Sequence, residues 1–165
     1  MRIIYTDGSG YSGGNSAYCV ITQNWCIPGT KKGKHKILRT IPEVLGVYDI
    51  ELIGLDEAIQ LIPIPMFNQN KECYTIFMDN KQIVSEINGL KIPKDKSRIE
   101  RLKSMIEARG NNIQVKWISR DINPAGICLQ NRLFKLNNYW REAIGLKKRR
   151  NNNVYKYHKH SSLNK

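Results

Sequence analysis

Histidines, paired cysteines and acidic residues are all scarce in this chain. Among its 165 residues are three histidines, His35, His158 and His160, and four cysteines, Cys19, Cys26, Cys73 and Cys128, with no Cys-x-x-Cys pair. No zinc-site spacing appears, and the cysteines read as small buried hydrophobes in a reducing compartment. No stretch approaches the roughly 18 apolar residues of a membrane span. The N-terminal apolar run is broken at once by Tyr5-Thr6-Asp7-Gly8, unlike a secretory leader. These absences predict a soluble cytoplasmic protein with no membrane partner, and a monomer.

Acidic residues number 14 against 27 Lys plus Arg, a formal charge of +13. A surplus this large in a small chain implies a polyanionic partner, nucleic acid first, through phosphate contacts and counterion release. Beyond Glu142 no acidic residue occurs, and residues 145–165 read as a disordered basic tail of the kind that adds non-specific phosphate affinity. Residues 1–144 are long enough for one domain with a real core, and the 41% apolar content is that of a globular chain.

Arg2 to Thr6 is a β-branched and aromatic run, and the Asp-Gly-Ser-Gly that follows is a tight-turn signal, so Asp7 is expected at a strand end. Ser16 to Trp25 and Lys34 to Ile41 read as two more strands, linked through Pro28-Gly29-Thr30-Lys31-Lys32-Gly33, which makes an antiparallel meander. The period then changes to that of a helix from Asp49 to Ile62, with Asp49 as N-cap and Glu51 in the first turn. Leu55, Ala58 and Ile62 lie four, seven and eleven residues beyond Glu51, which aligns this acid with the inward stripe. Glu72 to Met78 reads as a buried strand ending at Asp79, and Asn80 to Gly89 as a short helix. Asp95 to Arg109 reads as a basic helix, Ile113 to Ser119 as a half-exposed strand, and about Ala125 to Ile144 as a last helix.

Each acid has an ordinary explanation. Asp7 suits a hairpin turn, Glu51 complements a helix dipole, and Asp79 suits a helix N-cap. Together they suggest more, because the helix after the meander allows the first and fourth strands to lie parallel and adjacent. Three converging carboxylates repel unless a divalent cation sits among them, and hard oxygen ligands suit Mg²⁺ or Mn²⁺. In a basic protein the natural substrate for such a centre is a phosphodiester.

The segments Tyr5-Thr6-Asp7-Gly8-Ser9, Asp49-Ile50-Glu51-Leu52, Phe77-Met78-Asp79-Asn80 and Trp117-Ile118-Ser119-Arg120-Asp121-Ile122-Asn123, in this order, resemble the type 1 ribonuclease H family over about Met1 to Leu136. The resemblance implies an α/β, ribonuclease H-like fold: a five-stranded mixed sheet, its first three strands antiparallel, with helices on both faces. It also implies two-metal hydrolysis of the RNA strand of RNA/DNA hybrids, one metal activating water and the other stabilising the leaving 3′ oxygen. In that reading Asp7 bridges the metals and Glu51 and Asp79 hold the second. Gly8, Ser9 and Asn80 approach the substrate strand, and RNA is distinguished by its 2′-hydroxyls. Lys81 is placed for a phosphate, and Lys94, Lys96, Arg98 and Asn123 add nucleic-acid contacts. Trp117 and Trp140 read as packing residues.

One departure matters. The family's fourth carboxylate lies in an Ala-Asp-x-Leu-Ala pattern opening the last helix, and here Ile127 stands at the Asp position. Either Asp121, or an amide such as Asn123 or Asn131, substitutes, or the attacking-side metal is weakened, or the chain only binds. The alternatives to the nuclease are therefore a non-catalytic nucleic-acid-binding module on the same fold, and another nuclease of the superfamily such as a junction resolvase or transposase-like enzyme.

Overall fold

The computed structural model describes residues 1–10, 16–25, 33–65, 72–110, 112–143 and 145. The turn at 11–14, the link at 28–32, Cys26, the side chain of Trp140 and the tail from residue 146 lie outside the described residues. Strand β1 (Arg2–Gly10) pairs antiparallel with β2 (Ser16–Trp25), and β2 with β3 (Gly33–Ile41). Helix α1 (Val47–Gln60) then carries the chain to the other side of β1, where β4 (Tyr74–Met78) lies parallel to it. After α2 (Lys81–Ile87) and α3 (Lys96–Ala108), β5 (Ile113–Trp117) lies parallel to β4. A 3-10 turn at Arg120–Ile122 leads into α4 (Pro124–Ala143). The sheet order β3-β2-β1-β4-β5 is the mixed five-stranded arrangement expected.

Two compact units divide the chain. Met1–Leu129 holds the sheet, α1 to α3 and the opening turns of α4, and Gln130–Lys165 includes the rest of that helix. In the first unit Ile4, Ile50, Leu55, Ile59, Ile76, Met78, Ile83 and Ile99 are fully buried between the sheet and its helices. Each contributes about 1.5–3 kcal/mol of apolar burial. Successive strand residues face opposite sides. Gly8 lies against α1 and Asp7 against the first turn of α4, so helices cover both faces.

Several boundaries differ from the sequence expectation. Strand β1 does not turn after Asp7 but runs on to Gly10, paired as far as Gly10 with Ser16. The glycines serve packing: a Cβ on Gly8 would stand 2.7 Å from the Glu51 nitrogen, and one on Gly10 2.7 Å from the Leu45 carbonyl oxygen. What ends near Asp7 is the ladder to β4, whose last pair is Tyr5 with Phe77. Asp49 is not the cap of α1. The extended backbone of Gly46 caps it, and Asp49 sits in the first turn, two residues before Glu51. Asp79 is not the cap of α2 either, since Asn80 accepts from the Gln82 and Ile83 nitrogens. Cys19 is buried as expected, but Cys128 is half-buried and Cys73 is exposed beside the start of β4.

Candidate metal centre

The chain leaves β1 toward β2 on one side and returns to β4 on the other, so a crevice opens at the carboxyl ends of β1 and β4, where open α/β sheets bind ligands. Asp7, Glu51 and Asp79 meet there. Each offers an oxygen within 4.8 Å of the others. Glu51 reaches the group because α1 lies unusually close to β1: besides the Gly8 contact, a Cβ on Gly54 would stand 2.7 Å from Thr6 Oγ1. Asp79 follows β4 directly, one strand away from Asp7.

Asp7 is 3% exposed and Glu51 6%. Burial, the charge of Asp79 and a hydrogen bond with its carboxyl push the Asp7 pKa up to about 7, against the pull of Arg120 and of the Gly8 N–H, which donates to Asp7 Oδ1 at 2.8 Å. Burial and the charges of Asp7 and Asp79 push Glu51 to about 8, although a hydrogen bond from Asn80 and the charge of Arg120 oppose the rise. Glu51 Oε2 and Asp79 Oδ1 are buried with no hydrogen-bond partner. Buried carboxylate oxygens left unsatisfied are costly. A divalent cation with oxygen ligands would satisfy them and remove the repulsion, so the donor set fits a hard metal ion.

The other residues expected at the site divide into groups. Ser9 lies beside the crevice, half-buried, whereas Gly8 is buried and uses its N–H on Asp7. Asn80 caps α2, its side-chain oxygen accepting from the Gln82 and Ile83 nitrogens, and its amide lowers the Glu51 pKa. Asn123, expected on the nucleic-acid surface, is 0% exposed. Its Nδ2 donates to the Thr6 carbonyl oxygen at 3.1 Å and its Oδ1 accepts from the Ala125 nitrogen at 3.1 Å, so both ends of its amide are occupied. Asp121 is exposed on the 3-10 turn and is not in the carboxylate group. Ile127 is half-buried in the first turn of α4, its N–H on the Asn123 carbonyl oxygen at 3.0 Å.

Part of the basic stretch expected to grip a substrate is paired within the protein. Arg98 Nη1 lies 2.7 Å from Asp49 Oδ1, and Arg101 pairs with Asp56, so α3 is tied to α1. Lys96 faces Glu100 at 3.7 Å, and the Lys94 ammonium stands over the Tyr48 ring at 4.9 Å. Lys81, exposed like Lys94, stands over the Trp117 ring. Trp117, expected to be a packing residue, is 44% exposed.

Two participants were not foreseen. Arg120 Nε lies 3.9 Å from Asp79 Oδ2 and supplies positive charge to the acid group. Gly126 leaves room for Asp7, since a Cβ there would stand 2.8 Å from Asp7 Oδ2. Arg120 was in view within the segment before the last helix, but an arginine among many gives no sign of its partner. The approach of Gly126 depends on how α4 crosses β1, which sequence spacing does not reveal.

No family model and no curated protein matches the sequence. Solved structures do match. One is LC11-RNase H1 in complex with an RNA/DNA hybrid, with 19% identity over 78% of this chain and 93% of that one, at a TM-score of 0.64. The same LC11-RNase H1, isolated from compost by a metagenomic approach, also matches at 20% identity and a TM-score of 0.64, over 82% of this chain and 97% of that one. RNase H1 from the halophilic archaeon Halobacterium salinarum matches at 15% identity and a TM-score of 0.57, over 78% and 92%. At these identities it is the architecture that is shared, and the chain has the type 1 ribonuclease H-like fold.

Proposed function

We propose that this protein is a divalent-metal-dependent endonuclease that hydrolyses the RNA strand of RNA/DNA hybrids. The observation that carries the reading is the convergence of Asp7, Glu51 and Asp79 at the mouth between β1 and β4, with two of their buried oxygens unpartnered. An RNase H1 of the same architecture is seen with an RNA/DNA hybrid, which supports the choice of substrate.

Asp7, Glu51 and Asp79 would hold Mg²⁺ or Mn²⁺, which when bound supplies an activated water and charge stabilisation at the leaving oxygen. The chain's own groups prepare that site. Gly8 N–H fixes one oxygen of Asp7, Asn80 favours the charged form of Glu51, and Arg120 beside Asp79 draws an anionic strand toward an otherwise acidic crevice. The positive surplus of the whole chain favours the encounter with nucleic acid.

A second reading is a binding module that no longer cleaves, and Ile127 favours it. Among the described residues no fourth carboxylate joins the group. The deciding experiment is incubation of an end-labelled hybrid with wild type and Asp7→Asn, in Mg²⁺ and separately in Mn²⁺. Cleavage of the RNA strand alone, lost in Asp7→Asn, is the expected result. Hybrid binding with no cleavage in either metal selects the second reading, and preference for four-way junctions or DNA ends selects another nuclease of the superfamily.

A further inference from the structure

Arg98, Arg101 and Lys96 on α3 each face a neighbouring acid. Lys81 makes no ion pair among the described residues. Its ammonium stands 4.3 Å from the centroid of the exposed Trp117 ring. The ring is held in turn by its indole N–H, which donates to the Asp79 carbonyl oxygen at 3.1 Å. Trp117 ends β5 in register with Met78, the residue before Asp79, so the pair sits at the same end of the sheet as the carboxylates and one strand outward.

We propose that Trp117 is a positioning residue that holds the Lys81 ammonium, with its charge uncompensated, for a backbone phosphate of the nucleic-acid strand beside the reacting one. The proposal rests on the nucleic-acid substrate proposed above and adds to it how one contact is organised. Strands lie about 4.8 Å apart, and the phosphates of one strand of a duplex rise about 3.4 Å each along the helix axis. A cation one strand from Asp79 therefore faces a phosphate one or two steps from the one at the carboxylates. The aromatic face attracts the cation electrostatically without neutralising it, as a carboxylate would. An ammonium already held near its binding position loses less freedom when the phosphate arrives. The backbone bond from the indole to Asp79 keeps this cation in register with the metal ligand.

The test measures binding of a fluorescently labelled RNA/DNA hybrid across a salt series in the Asp7→Asn background, where no cleavage intervenes. Lys81→Met is expected to weaken binding about tenfold and to reduce the slope of log affinity against log salt by about one. Trp117→Leu, which changes no charge, is expected to weaken binding about threefold. The double variant should be no weaker than Lys81→Met, and Trp117→Phe, which keeps a ring but loses the bond to Asp79, should recover part of the loss. Thermal unfolding of each variant checks that the fold persists. A single-tryptophan protein (Trp25→Phe, Trp140→Phe) reports directly, its Trp117 emission changing on hybrid addition. Unchanged affinity in Trp117→Leu, or losses that add in the double variant, overturns the positioning role and leaves the nuclease reading in place. Absence of any hybrid binding by the Asp7→Asn protein and wild type alike overturns both.

Discussion

Asn123 donates its side-chain N–H to the carbonyl oxygen of Thr6, the residue immediately before Asp7, while its own side-chain oxygen accepts from the Ala125 nitrogen. One buried amide therefore fixes the start of α4 and the strand that carries the central carboxylate. Replacing it with alanine removes both bonds and strands a buried carbonyl and a helix N–H. A net cost of about 2–3 kcal/mol is expected, read as a lower urea midpoint with unchanged slope. Asn123→Ser restores only the cap to Ala125. It should recover part of the stability while Mn²⁺ affinity, read by calorimetry, stays low because the Thr6 peptide is no longer held. Full recovery of metal affinity in Asn123→Ser would show that the bond to Thr6 does not govern Asp7.

The carboxylate group should make the metal-free protein less stable as pH rises. The folded-state pKa values of about 7 for Asp7 and about 8 for Glu51 lie above their ordinary values of 3.8 and 4.5. Between the ordinary and the raised values the native state binds more protons than the unfolded one, so stability falls with increasing pH. The contribution is fully present below about pH 4 and is lost by about pH 8. Asp7→Asn removes one of the repelling charges and should raise the unfolding temperature at pH 8 in EDTA by several degrees while leaving it little changed at pH 4. Saturating Mg²⁺ or Mn²⁺ should produce a comparable rise in wild type and a much smaller one in the variant. Equal unfolding temperatures for wild type and variant in EDTA at pH 8 would mean that the group is not strained.

Much of this arrangement was legible in the residues. The change from strand to helix period after Ile41, and the placing of Glu51 among Leu55, Ala58 and Ile62, identified the crossover that makes β1 and β4 parallel. Asp7, Glu51 and Asp79 stood out because each occupied the boundary or inward face of an element. What could not be read was pairing between distant surfaces. The basic residues of α3 read as substrate contacts because their sequence neighbours are basic, yet Asp49 and Asp56 on α1 face them across 40 or more positions. Trp117 read as a core residue because it lies on a strand, but β5 is the last strand of the sheet and exposes part of the ring. The glycines after Asp7 read as a turn because glycine serves turns and close packing alike.

The pairing of Arg98 with Asp49 leads to a prediction opposite to that for a free phosphate contact. Both side chains are more than a third exposed, so the bond should stabilise the fold by no more than about 1 kcal/mol. Arg98→Ala should lower hybrid affinity less than twofold and leave the salt slope unchanged. Lys81→Met, measured beside it, should lower affinity about tenfold and reduce the slope by about one. A reduction of the slope by about one in Arg98→Ala would mean that the arginine leaves Asp49 to bind a phosphate, and would return α3 to the interface.

Ile127 adjoins Gly126, the residue against which Asp7 packs, and it lies in the first turn of α4. Two consequences of Ile127→Asp have opposite signs. If the new carboxylate stays in solvent, it meets only the positive end of the helix dipole and raises stability by about 0.3–1 kcal/mol, with metal affinity unchanged. If it joins Asp7, a fourth like charge lowers the stability of the metal-free protein near pH 8 and raises Mn²⁺ affinity, because one more hard oxygen faces the ion. The position beside Gly126 favours the second outcome: about tenfold tighter Mn²⁺ binding, faster RNA-strand cleavage, and a lower unfolding temperature in EDTA. Calorimetry with Mn²⁺ and unfolding in EDTA decide between them without reference to activity. A variant that is more stable in EDTA and binds Mn²⁺ no better would show that position 127 does not face the metal centre, and that the three carboxylates act without a fourth.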